Sequence, residues 1–149
     1  MATLYEEDVV LWSEQQAQAL RDAARSGVNL PIDWTNVAEE IESLGRTEKR
    51  ELVNRLAVLM THLLKWQVQP ARRSTSWRLT IIEQRRKLER HLDDNPSLKA
   101  RMEPAIAAAY GDALLRAQRQ TGLPESAFPP ACPYQASELL DFDYFPPDP

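Results

Sequence analysis

Apolar residues recur at steps of three and four along almost the whole chain, the period of a helix with one buried side. From about Leu4 to Arg25 the positions Tyr5, Val9, Trp12, Ala19 and Ala23 keep near that spacing. Glu6, Glu7 and Asp8 fall in the first turn, where the helix dipole favours negative charge. This segment is predicted to be one amphipathic helix. "SGVNLPID" then interrupts it, because Gly27 can take a left-handed cap, Pro31 cannot continue a helix and Asp33 can cap the next one.

From Trp34 on, Val37, Ile41, Leu44, Leu52, Leu56, Leu59, Leu63 and Trp66 hold one helical phase, and Glu48 fills the beat between Leu44 and Leu52. The phase survives Gly45, although glycine inside a helix costs about 1 kcal/mol relative to alanine. One long helix over about 34–69 is therefore expected, with two helices divided at Gly45 and Thr47 as the alternative. A second stripe of Val53, Ala57, Met60 and Leu64 makes "LAVLMTHLL" apolar around most of its circumference, as befits a central helix. Pro70 ends this segment, and Ser74 is placed to cap a further helix running to about Asp94. Its buried stripe should be Trp77, Ile81, Leu88 and Leu92, interrupted at Gln84 and Arg85. Trp66 and Trp77 are both expected in the core.

After "DDNPS", Ser97 is expected to open a helix in which Leu98, Met102, Ile106, Ala109, Ala113 and Ala117 face inward. Pro104 lies late for a helix start and should shift or bend it. Gly122 and Pro124 end it. The remaining stretch, about 123–149, is rich in proline and aromatic residues and shows only a short helix near Gln135 to Leu140. It is expected to wrap the rest. With no strand alternation and no internal repeat, the fold class is all-α: an antiparallel helical bundle of four to five main helices with a proline-rich C-terminal tail, in a single domain over 1–149.

Composition refines this picture. A chain of 149 residues, 43% hydrophobic and 27% charged, can bury a core without staples. The net charge of -4 conceals a pattern. Residues 1–45 carry two Arg against nine Asp or Glu, residues 46–90 twelve Lys or Arg against four Glu, and residues 91–149 four against nine. The basic middle third is flanked by acidic thirds, which repel nucleic-acid phosphate at longer range. Cys132 is the single cysteine, so no internal disulfide and no cysteine-based metal site can form. The acidic N-terminus lacks a secretory signal, and no run of about eighteen apolar residues could span a membrane. A cytoplasmic location is expected.

Few chemistries have their equipment here. Glu-x-x-His pairs are missing, since Leu59 and Leu88 stand three residues before the two histidines, His62 and His91. There is no HExxH, no Walker loop and no glycine-rich dinucleotide fingerprint. No metal or cofactor is expected, and no catalytic constellation is visible. What stands out is a polar stripe on the central helix: Arg55, His62, Lys65 and Gln69, separated by steps of seven, three and four. The antiparallel neighbour after "PARRS" could add Arg78, Gln84 and Arg85. Such a cluster suits an anion or an acidic side chain, because guanidinium groups hold carboxylate and phosphate in bidentate fashion. The simpler account is that these bases face solvent and are neutralised by the acidic first helix, the "EEIES" segment and i, i+4 pairs such as Glu42–Arg46, Glu51–Arg55 and Glu83–Lys87.

The segments "YEEDVVLWSEQQAQALR", "VAEEIESLGRTEKREL", "HLLKWQVQPARRSTSWRLTIIEQRR" and "TGLPESAFPPACPY" together resemble the bacterial family called domain of unknown function 29. The resemblance covers nearly the whole chain in order, with "SLGRTEKREL" and "HLLKWQ" as its most specific blocks. It implies a helical bacterial protein and brings no catalytic residues. Function is therefore expected to lie in binding a protein partner, or a second copy of the chain. The alternative is an enzyme or a binding domain for an anionic small molecule, built on the polar stripe.

Overall fold

The computed structural model describes residues 1–149, and every regular element is helical. The α-helices are α1 (Leu4–Glu7), α2 (Val9–Arg25), α3 (Trp34–Val68), α4 (Thr75–Asp94), α5 (Met102–Thr121) and α6 (Ala136–Leu140), with short 3-10 turns at Pro70–Arg72, Pro96–Arg101 and Glu125–Ala127. Contacts divide the chain into two compact units, one of residues 1–51 with 92–99, the other of residues 52–91 with 100–149. No helix is long and apolar enough to cross a membrane.

In the first unit the predicted single helix over 4–25 is broken at Asp8, whose extended backbone (φ -160°, ψ 93°) separates α1 from α2. Asp8 is only 5% exposed. Its Oδ1 caps α2 by accepting from the Leu11 N–H at 2.9 Å and also accepts from the Ser97 hydroxyl at 2.9 Å; its Oδ2 accepts from the Ser97 N–H at 2.7 Å. Ser97 thus serves Asp8 rather than opening α5. Residues 96–101 form a 3-10 turn, and α5 begins at Met102. This puts Pro104 in the first turn, where a missing N–H breaks no intrahelical bond.

The buried side of α2 is Val10, Ser13 and Ala17, one position off the expected stripe. Tyr5 is 57% exposed and packs edge-on against Trp12, with ring centroids 4.8 Å apart. On the first part of α3 the corresponding buried positions are Ala38 and Gly45, while Val37 and Leu44 face outward. The cause is close approach of the two helices. A Cβ added to Gly45 would lie 2.5 Å from the Ser13 Oγ and 3.6 Å from the Val10 carbonyl oxygen. Small residues at the crossing decide which side meets the neighbour, overriding the preference of Val37 and Leu44 for burial. Gly45 therefore does not divide the helix; α3 runs unbroken through it. Around this contact Lys49 pairs with Glu14 at 2.8 Å, and Arg46 with Glu39 at 2.7 Å and Glu42 at 3.5 Å.

The second unit has a thoroughly apolar centre in which Leu56, Ala57, Leu59, Met60, Leu63, Leu64, Ile81 and Leu88 have no exposed surface. From α5 it buries Ile106, Ala109, Ala113 and Ala117, as their spacing predicts. Gly122 closes α5 with φ 72°, a left-handed conformation that lets its N–H reach the Gln118 carbonyl at 2.8 Å. Ser74 caps α4 by accepting from the Trp77 N–H at 3.1 Å. Trp66 and Trp77 are only half-buried, contrary to the expectation of core packing. Each offers its ring to a cation: Arg73 sits 5.0 Å from the Trp66 centroid, and Lys65 lies 4.7 Å from that of Trp77.

Candidate functional site

The seven residues of the predicted polar cluster, all in the second unit, are not gathered at one point. His62 and Lys65, one turn apart on α3, form its core. The His62 Nδ1 lies 3.0 Å from the Val58 carbonyl oxygen, and as an N–H it donates there, leaving Nε2 as a lone-pair acceptor. Burial lowers the pKa of His62; the Val58 hydrogen bond opposes this and the Lys65 charge adds to it. Lys65 donates to the Gln120 side-chain oxygen at 3.0 Å while its ammonium rests on Trp77, and burial lowers its pKa too. Arg55, two turns before His62, is half-buried. Gln69 is where α3 stops, with φ -127° and ψ 63° and its N–H still bonded to the Lys65 carbonyl at 3.0 Å. Arg78 is exposed on α4, and Gln84 is half-buried.

Arg85 goes elsewhere. It is fully buried, and its guanidinium donates from Nε to the Leu139 carbonyl at 3.0 Å and from Nη2 to the Glu138 carbonyl at 3.1 Å. These oxygens belong to the last turn of α6, where a cation is favoured; the Glu138 carbonyl also accepts from the Asp141 N–H at 3.3 Å. The Phe145 ring lies 5.7 Å from the guanidinium carbon. Desolvation lowers the Arg85 pKa, against the attraction of Asp141 and the Tyr144 oxygen. The interruption of the apolar stripe at Arg85 is thus a hydrogen-bonding post for the segment after α5.

That segment has further ties. The Tyr110 hydroxyl donates to the Pro129 carbonyl at 2.5 Å, Tyr134 to the Gln67 side-chain oxygen at 3.4 Å, and Trp66 packs on Phe145 at 4.9 Å. Arg73 donates from Nε to the Trp66 carbonyl at 2.8 Å and meets Asp148 at 2.7 Å. Desolvation pushes Tyr110 up to about 12 and raises Tyr134 further. The Cys132 thiol, 3.8 Å from the Met60 sulfur, is likewise raised by burial, so its protonated, weakly nucleophilic form is favoured. No three His, Cys, Asp or Glu side chains gather in a way that could hold a metal ion.

The first unit offers a different surface, which the periodicity did not announce. Val28, Leu30, Ile32, Val37 and Leu44 are 42%, 55%, 43%, 37% and 45% exposed. Three of them lie in the connection from α2 to α3, and Val37 and Leu44 are two turns apart on one side of α3. Beside this connection is a cavity of about 240 Å³ lined by Arg21, Ala24 and Arg25 from the end of α2 and by Trp34 and Thr35 from the start of α3. The only sequence signal for it was the pair of arginines one turn apart in an otherwise acidic third of the chain.

An α-helical protein of unknown function from Rhodospirillum rubrum, solved by crystallography at 1.45 Å resolution, has a similar fold, with a TM-score of 0.71 and 26% sequence identity over 97% of this chain and 93% of that one. No curated protein matches the chain. The model of the family described as domain of unknown function DUF29 matches residues 4–145, essentially the stretch over which the four sequence blocks were read, and the chain belongs to that family.

Proposed function

We propose that this chain is a protein-interaction domain, an antiparallel helical bundle with its proline-rich tail laid against it, which docks a partner segment on the apolar face of the first unit. The observation that carries this is the exposure of five large apolar side chains, Val28, Leu30, Ile32, Val37 and Leu44. Together they present a few hundred Å², the size of patch that marks interaction sites on soluble proteins. The occupant that fits is a segment combining apolar and acidic side chains. Its apolar groups meet this face, and its carboxylates meet Arg21 and Arg25 at the cavity beside it, competing there with Glu42 and Asp22, to which these arginines are paired. The other reading, an anion site or catalytic cluster on the α3–α4 hairpin, has less support because Arg85 is fully buried and turned to the α6 carbonyls, away from any ligand.

The test is selection of displayed peptides on the intact protein with counter-selection on a Leu30→Asp/Leu44→Asp variant. Both positions are exposed, so the variant should retain its helical circular dichroism. Selected sequences should pair Leu, Ile or Phe with Asp or Glu, and synthetic peptides should bind the purified protein and not the variant in fluorescence anisotropy. Failure to recover any peptide dependent on those two residues overturns the proposal. Concentration-dependent dimerisation in sedimentation velocity, abolished in the variant, would replace the acidic segment with a second copy of the chain.

A further inference from the structure

We propose that Trp66, Arg73 and Arg85 form a peptide-binding site that the chain's own residues 145–148 fill, and that a partner segment of the same chemistry displaces them: an aromatic residue, proline directly after it, and Asp or Glu three positions beyond the aromatic. The receptor side is built without this segment. The Arg73 guanidinium lies 5.0 Å from the Trp66 ring centroid and its Nε donates to the Trp66 carbonyl at 2.8 Å, so α3 and the turn after it fix its place. Arg85 is fully buried and held by the Leu139 and Glu138 carbonyls at 3.0 and 3.1 Å, ahead of the segment in the chain. Phe145 touches both sides of the site, its ring 4.9 Å from that of Trp66 and 5.7 Å from the Arg85 guanidinium carbon. Pro146 is buried, and the Asp148 carboxylate meets the Arg73 Nη2 at 2.7 Å.

The segment's own hold is the weak half of the contact. The Tyr144 N–H bonds to the Asp141 carbonyl at 3.1 Å, in a turn that the Asp143 N–H also ties to the Asp141 side chain at 2.9 Å; beyond it the chain is attached through the Phe145 and Pro146 rings and the Asp148 carboxylate. That carboxylate is 71% exposed, and an ion pair so open to water holds little. The Arg85 Nη1 is shut off from solvent and has no acceptor, so this occupant leaves a desolvation cost unrelieved. Such an occupant is exchangeable, and it also shows what the site selects. Prolines at 146, 147 and 149 restrict the chain before it docks, so little freedom is lost on binding, and aromatic-lined grooves take segments of this kind. A second copy carries only the same segment, which cannot outcompete one tethered at millimolar effective concentration. A foreign segment that binds more tightly can. All these residues belong to the second unit, so the site does not rest on the docking reading for the first.

The test uses the intact chain and a fluorescein-labelled peptide copying residues 141–149, read by fluorescence anisotropy. Phe145→Ala/Asp148→Ala, which removes the competing segment, should bind the peptide about tenfold or more tightly than the wild type does. Asp148→Lys, at an exposed position, should act in the same direction to a smaller extent with the aromatic contact intact. Adding Arg73→Gln to either variant should undo the gain, and peptides with alanine in place of Phe145 or lysine in place of Asp148 should not bind. In the nitrogen-15-labelled wild type, excess unlabelled peptide should move the Phe145 and Asp148 amide signals to disordered-chain positions. Equal affinity of the wild type and both opened variants, binding indifferent to Arg73→Gln, or Phe145 and Asp148 signals unmoved at saturating peptide overturns the proposal. Concentration-dependent dimers of the wild type in sedimentation velocity, lost in Phe145→Ala/Asp148→Ala, would give the site to a second copy of the chain and overturn the foreign occupant.

Discussion

Gly45 offers the sharpest test of how the first unit is packed. Replacing glycine with alanine inside an exposed helix gains about 1 kcal/mol from backbone entropy, so a helix that merely tolerated its glycine would become more stable. Here the new Cβ falls 2.5 Å from the Ser13 Oγ, while the next nearest atoms, the Val10 carbonyl oxygen and Cα, stand at the ordinary contact distances of 3.6 and 3.7 Å. The obstruction is therefore one hydroxyl. That hydroxyl is fully buried and donates to the Val10 carbonyl at 2.8 Å, so turning it away leaves a buried donor unsatisfied. The cost is about 1–3 kcal/mol, and sliding the helices apart instead costs a similar amount. Gly45→Ala should therefore be neutral to about 2 kcal/mol less stable in urea denaturation followed by far-UV circular dichroism. In a Ser13→Ala background the obstruction is gone, because the residual Cβ at position 13 is no closer than the Val10 atoms. There the same substitution should show its full gain of about 1 kcal/mol. A coupling energy of at least about 1 kcal/mol between the two positions is expected. If Gly45→Ala stabilises both backgrounds equally, the close-approach argument is wrong.

Three other outcomes follow from the hydrogen-bond pattern and the ionisation directions. Arg85→Met strands the Leu139 carbonyl, leaves the Glu138 carbonyl with only the Asp141 N–H at 3.3 Å, and should cost about 2–4 kcal/mol; faster amide exchange over residues 136–145 checks it, and wild-type protection there would refute the posting role of Arg85. Asp8→Ala removes the cap of α2 and both bonds to Ser97, for a loss of about 2–3 kcal/mol by denaturant midpoint, whereas Asp8→Asn should recover much of it; equal stability of the alanine variant would contradict the geometry. His62 has a folded pKa below its ordinary value of 6.5, so the unfolded chain takes up the proton first. Stability should decline as pH falls from near 6.5 through the folded pKa and level off below it. The difference between wild type and His62→Gln isolates this component, and a pH-independent difference would show that His62 is not held neutral.

The boundaries of the helices were largely readable because they rest on local chemistry. Ser74 caps through its own hydroxyl, Gly122 takes the one conformation that side chains resist, and Pro70 follows the end of α3 because its ring cannot continue a helix. The break at Asp8 was not readable, since "EEDVV" is as good a helix start as any. What makes Asp8 a cap is Ser97, eighty-nine residues away. The candidate site divided in the same way. His62 and Lys65 share a side of α3 by spacing alone, but nothing near Arg85 in sequence foretells the α6 carbonyls that hold it, and the cavity at Trp34 exists only once α2 and α3 are brought together.

By itself the sequence determined that the chain is helical and where most helices begin and end, because periodicity, caps and turn residues act over a few positions; it left open whether α3 passes through Gly45, which the structure answers. Only the tertiary structure decided which side of α2 and of the first half of α3 is inside. Hydrophobicity ranks residues by their gain on burial, and by that ranking Val37 and Leu44 should have been covered; yet two helices pack where their backbones can approach, and that is at Ser13, Ala38 and Gly45. The apolar side chains left outside are the consequence, and they are the surface through which the protein is proposed to act.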